Sequence, residues 1–119
     1  MKIRIKGNSI RYRLTQTDVN YFEKAGMLTD HIDFGNAQLI YAIERSEAEA
    51  DLRVTFEHNI ITLYVPLKMA QEWFSTNRTG FSVQQDNLHL LLEKDFQCLD
   101  NVEEDQSDNY PNPLAGKQS

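Results

Sequence analysis

Five cations occupy alternate positions at the start of the chain: Lys2, Arg4 and Lys6, then Arg11 and Arg13. Between the two groups lies Gly7-Asn8, a dipeptide able to take the positive φ angles of a two-residue hairpin loop. That loop sets Arg4 opposite Arg11 and Lys2 opposite Arg13, and it puts all five cations on one face. Like charges directly opposed across a strand pair cost a few tenths to about 1 kcal/mol each, so the face calls for counter-charge. Guanidinium forks and ammonium groups at strand spacing suit phosphate and carboxylate oxygens. The expected role is therefore a binding module. Its basic hairpin face would take an acidic protein, a phosphate-containing ligand or the chain's own acidic end. The plain alternative is a solvated face balanced by strand acids such as Glu44, Glu57 and Glu93. Ile3, Ile5, Ile10, Tyr12 and Leu14 alternate with the cations and read as core.

A second function class uses the same cations with strand carboxylates, as an enzyme acting on phosphoesters or polyphosphate. Nothing in the spacing of Glu44, Glu57 and Glu93 brings them to one site, and no residue carries a catalytic signature. The histidines, His31, His58 and His89, are scattered, and neither CxxC nor HxxxH occurs, so no metal site is expected. Cys98 has no histidine near it in sequence to activate it and reads as a small, half-buried side chain. No nucleophile elbow, phosphate-binding loop or dinucleotide glycine pattern is present, and no cofactor is expected.

The net charge is −6, and a field of that sign repels nucleic acid and anionic lipid. Single-strand binders also interleave aromatics with their cations, whereas Tyr12 points to the other face of this hairpin. Nucleic acid is therefore not an expected partner. The charge is split along the chain. Residues 1–14 hold the five cations and no acid, while Asp95, Asp100, Glu103, Glu104, Asp105 and Asp108 accumulate near the other end with no base among them. A lone cysteine, no signal-like apolar core and no run of the roughly 18 apolar residues that a membrane span needs lead us to expect a cytoplasmic protein.

Three hairpins position these residues. Besides 2–6 with 9–14, the alternating segments 52–57 and 60–65 flank His58-Asn59, and 80–85 and 88–93 flank Asp86-Asn87. The loops set Phe56 against Ile61, Val54 against Leu63, Leu52 against Val65, Val83 against Leu90 and Phe81 against Leu92. Thr15 or Thr17 caps a first helix that carries Val19, Phe22 and Ala25 inward and stops at Gly26. Pro66 opens a second, with Met69, Ala70, Trp73 and Phe74 as its apolar stripe. Strands near 29–34 and 39–45 are separated by Gly35-Asn36. The sequence shows no internal repeat. These elements predict an α+β domain over residues 1–99, with two short helices and an antiparallel sheet of about eight short strands. That sheet would curve strongly enough to approach a barrel. Residues 100–119 form an acidic, proline-containing tail, which could fold back onto the basic hairpin.

The opening Lys2-Ile3-Arg4-Ile5-Lys6-Gly7-Asn8-Ser9-Ile10-Arg11-Tyr12-Arg13-Leu14 and the ending Leu92-Glu93-Lys94-Asp95-Phe96-Gln97-Cys98-Leu99, with Glu104-Asp105 and Tyr110-Pro111-Asn112-Pro113, resemble a family of short uncharacterised bacterial proteins. That resemblance spans nearly the whole chain and implies no activity. A weaker similarity links the basic strand Ser9-Ile10-Arg11-Tyr12-Arg13 to the triphosphate tunnel enzymes, small β-barrels that hold polyphosphate and divalent metal. Their Glu-x-Glu-x-Lys strand is absent here, where the chain begins Lys-Ile-Arg-Ile-Lys.

Overall fold

Tight loops set the register of three hairpins in a computed structural model that describes residues 1–96. Strands β1 (Lys2–Lys6) and β2 (Ser9–Leu14) pair with Lys2 opposite Arg13 and Arg4 opposite Arg11. Strands β5 (Arg53–Glu57) and β6 (Ile60–Pro66) pair Phe56 with Ile61 and Val54 with Leu63. Strands β7 (Gly80–Gln85) and β8 (Leu88–Lys94) pair Val83 with Leu90 and Phe81 with Leu92. His58 and Asn59 both take positive φ (53° and 65°), and so do the first loop residues Gly7 (54°) and Asp86 (52°). Such mirror-image turns match the right-handed twist of the strands they join. A fourth hairpin joins β3 (Met27–Asp33) to β4 (Gln38–Ser46).

The strands form two sheets, not one. The first has the order β1-β2-β8-β7 and the second β3-β4-β6-β5. Each is mixed, because β2 runs parallel to β8 and β4 parallel to β6, so the expectation of a purely antiparallel sheet is corrected. Neither sheet closes into a barrel among the described residues. The α+β class holds, with the helices α1 (Gln16–Ala25) and α2 (Leu67–Ser75).

The absence of a repeat is corrected as well. The halves β1β2-α1-β3β4 and β5β6-α2-β7β8 have the same element order, and each sheet takes one hairpin from each half. Ile3, Ile5, Asn8, Ile10, Tyr12, Leu14 and Phe22 correspond to Val54, Phe56, Asn59, Ile61, Leu63, Val65 and Trp73. Bonds outside the ladders repeat too. Ile40 N–H donates to Asn59 O (3.0 Å) as His89 N–H does to Asn8 O (2.9 Å), and Arg45 N–H donates to Gly26 O (2.9 Å) as Lys94 N–H does to Thr79 O (2.8 Å). Only apolar character is shared at most of these positions, which is why the repeat is hidden in the sequence.

The inner faces of the two sheets and the helices enclose the core. Tyr12, Leu14, Phe22, Ile43, Leu63, Val65, Trp73, Leu90 and Leu92 are fully buried. Thr15 caps α1 reciprocally with Asp18, and Gly26 ends it in a left-handed conformation. Phe22 is buried and Val19 packs beside it, but Ala25 is exposed because the helix turns that position outward. Phe22 meets Phe74 of α2 edge-on at 5.7 Å. Two polar groups on buried aromatic side chains are bonded: Tyr12 Oη donates to Ile61 O (3.1 Å), and Trp73 Nε1 donates to Thr79 O (2.9 Å). Leu52 is buried just ahead of β5 and lies outside its ladder. Ile5 is corrected from core to surface, with 58% of its area exposed, because it lies beyond the end of the enclosed layer beside the β1–β2 loop. No helix among the described residues is long and apolar enough to cross a membrane.

Candidate functional site

Strand alternation and the three registers arrange the outer face of the first sheet in three rows. Lys2, Arg13, Glu93 and Gly80 form one row across β1, β2, β8 and β7. Arg4, Arg11, Leu91 and Ser82 form the next, and Lys6, Ser9, His89 and Gln84 the third. All five predicted anion-binding residues, Lys2, Arg4, Lys6, Arg11 and Arg13, therefore share one surface. Lys2, Arg4 and Lys6 are exposed on the edge strand β1, and Arg11 and Arg13 are half-buried on β2.

Among the described residues, two acids contact three of these five cations. Glu93 Oε1 lies 3.4 Å from both Arg11 Nε and Arg13 Nε, and Asp95 Oδ2 lies 2.8 Å from Lys2 Nζ. The Arg11 contact is an ion pair without hydrogen-bond geometry, so its buried Nε has no hydrogen-bond partner among the described residues. Arg4 and Lys6 have no acid within ion-pair distance among the described residues. They line, with Ser9 and Arg11, a surface depression of about 190 Å³. A phosphate or carboxylate there would meet three cationic side chains and the Ser9 hydroxyl.

Of the three strand acids considered as counter-charges, Glu93 alone reaches this face. Its place beside Arg13 depends on the parallel pairing of β2 with β8, which no local signal announces. Glu44 and Glu57 belong to the second sheet, on β4 and β5. His31 is on β3 and His58 in the β5–β6 loop, while His89 joins the basic face in the row of Lys6 and Ser9. Ser9 and His89 were legible as outward-facing by their parity, but their nearness to each other was not. Among the described residues, no group of three or more His, Cys, Asp and Glu side chains could hold a metal ion. The cations sit on an open sheet face at an edge, a geometry unlike the enclosed tunnel suggested by the weaker resemblance. Cys98 and the acidic residues from Asp100 to Asp108 lie outside the described residues.

The second sheet supplies an internal comparison. The position equivalent to Lys2 keeps a cation, Arg53, but where the first sheet has Arg4, Lys6, Arg11 and Arg13 the second holds Thr55, Glu57, Thr62 and Tyr64. The same hairpin thus forms in this molecule without clustered positive charge.

No curated protein and no solved structure matches the chain significantly. A family model does match it, over residues 1–114. The chain belongs to that family, described as a family of unknown function (DUF7009).

Proposed function

We propose that this protein is a small binding module that takes an acidic partner or phosphate-bearing ligand on the outer face of its first sheet. The observation that carries the reading is the asymmetry between the two equivalent hairpins. Thr55, Glu57, Thr62 and Tyr64 meet the needs of the fold at positions where the first hairpin has Arg4, Lys6, Arg11 and Arg13. Opposed cations carry a repulsive cost, and a bound anion offsets it. Arg4, Lys6, Ser9 and Arg11 around one depression are the groups expected to touch that anion. The phosphoester-processing alternative draws no support from the carboxylates, since Glu44 and Glu57 lie on the other sheet and Glu93 contacts the two arginines. A reducing, cytoplasmic setting suits a chain with one thiol.

The test is a titration of the full chain with pyrophosphate and with a glutamate-rich peptide, followed by thermal shift at low and at molar salt. A ligand at 100 times its Kd adds about 2.7 kcal/mol of stability. Replacing both Arg4 and Lys6 with Ser should remove most of that gain, while the unliganded melting temperature stays the same or rises slightly as the Arg4–Arg11 repulsion is relieved. Equal stabilisation of the double variant and the parent would sink the assignment of this face.

A further inference from the structure

The two sheet edges that correspond under the internal repeat are closed differently. On β5, Val54 turns its backbone away from β6, and the side chain of Gln85 covers it. Gln85 Oε1 accepts from Val54 N–H at 2.8 Å, and Gln85 Nε2 donates to Val54 O at 3.0 Å. The amide group acts as a one-residue strand that seals the β5–β7 corner. On β1 the residue equivalent to Val54 is Ile3, and the residue equivalent to Gln85 is Ile32 on β3. Isoleucine has no amide, so it cannot make that seal.

The pairing pattern says which β1 groups are affected. With Gly7-Asn8 as the loop, Lys6 and Ser9 are the hydrogen-bonded pair, and alternation makes Ile3–Tyr12 and Ile5–Ile10 the non-bonded pairs. The N–H and C=O groups of Ile3 and Ile5 therefore point off the open edge, and β1 pairs with β2 alone among the described strands. Edge strands of this kind are templates for another strand. This one is two-sided. Lys2, Arg4 and Lys6 project on one face and Ile5 (58% exposed) on the other, while Ile32 (45% exposed), the counterpart of Gln85, is an exposed apolar residue of β3.

Resting on the binding role above, we propose that the occupant is an extended peptide from a partner protein, added as a strand to β1 and alternating acidic with apolar residues. Its acids face Lys2, Arg4 and Lys6, its apolar side chains cover Ile3 and Ile5, and its backbone satisfies the outward groups of Ile3 and Ile5. Main-chain pairing supplies affinity and the alternation supplies specificity. Charge complementarity selects this occupant over a second copy of the chain, because two β1 strands edge to edge would oppose cation to cation.

The test uses the full chain and a fluorescein-labelled octapeptide that alternates glutamate with valine, read by fluorescence anisotropy and by amide exchange at Ile3 and Ile5. Two analogues carry N-methyl groups, one on every valine nitrogen and one on every glutamate nitrogen. A strand can present only one of these sets to β1, so one analogue should bind about tenfold or more weakly than the other. The parent peptide should slow exchange of the Ile3 and Ile5 amides. Ile5→Pro should abolish binding with little change in melting temperature, since proline is tolerated where the N–H faces off an edge; Ile5→Thr serves as its control. If Ile5→Pro fails to fold, the paired analogues still decide the matter. Equal binding of both analogues, with Arg4→Ser weakening each, would overturn strand addition and leave the anion-binding face standing. Failure of both the peptide and pyrophosphate to bind would overturn the two proposals together. Protection of Ile3 and Ile5 before any peptide is added would overturn the partner and assign the edge to the chain's own acidic segment.

Discussion

Replacing Glu93 with Gln removes the carboxylate between Arg11 and Arg13 while keeping size and one carbonyl acceptor. The carboxylate serves two arginines at 3.4 Å each, with 26% of its side chain exposed against 29% for Arg11 and 39% for Arg13. Exposed ion pairs contribute about 0.2–1 kcal/mol each, and breaking a fully buried one costs about 3–5 kcal/mol. Partial exposure and the absence of good hydrogen-bond geometry at Arg11 place these two pairs near the surface end of that range. The expected loss is about 1–2 kcal/mol in total. For a domain of this size that lowers the melting temperature by roughly 5–10 °C. Trp73 is the only tryptophan and is fully buried, so its fluorescence reports urea unfolding directly. Two signatures separate an electrostatic cause from lost packing. The deficit should shrink by half or more in about 1 M salt, where the screening length falls to about 3 Å. Pyrophosphate should stabilise the Gln variant more than the parent, because one fewer anion competes for the cations. A loss above about 4 kcal/mol would refute this account and show a desolvated network. No loss at low salt would mean that the carboxylate does not bridge the two arginines.

Three further outcomes follow from the fold. Gly80→Ala would drive a Cβ onto the carbonyl oxygen of Leu92 and to 2.9 Å from Glu93 Cα; backbone atoms in a ladder cannot yield, so chemical denaturation should show a loss of about 2 kcal/mol or more. Tyr12→Phe removes the buried donor to Ile61 O and should cost about 1–2 kcal/mol by the same measurement, with no change in anion binding. Burial pushes the Asp18 carboxyl up, but the Met1 ammonium at 2.8 Å and the Thr15 backbone and hydroxyl groups outweigh it and hold the carboxyl below its ordinary value. The stability it contributes is then present above about pH 4 and lost as pH falls toward its folded value; the gap between the parent and Asp18→Asn should close on acidification, and a gap that widens would reverse the assignment.

What could be read from the sequence was local. The loops Gly7-Asn8, His58-Asn59 and Asp86-Asn87 fix three registers, because a two-residue turn leaves one pairing that keeps every apolar side chain on one side. The Thr15 cap and the Gly26 stop bound α1 for equally local reasons. The five cations were assigned to one face by parity alone, and that face is present. The joining of hairpins was beyond reach. An alternating strand declares which side it buries but not which strand lies beside it, since that choice depends on volumes and shapes brought together from distant parts of the chain. Hence β2 beside β8 and β4 beside β6, the placing of Glu93 between two arginines, and the consignment of Glu44 and Glu57 to another sheet were all decided by packing. The internal repeat was hidden for a related reason: a core asks for apolar volume, so Tyr12 and Leu63, or Phe22 and Trp73, can fill equivalent places without resembling each other. That β1 pairs on one side only among the described residues becomes telling when those places are compared, because Gln85 closes the corner at β5 and its counterpart Ile32 has no amide to do the same.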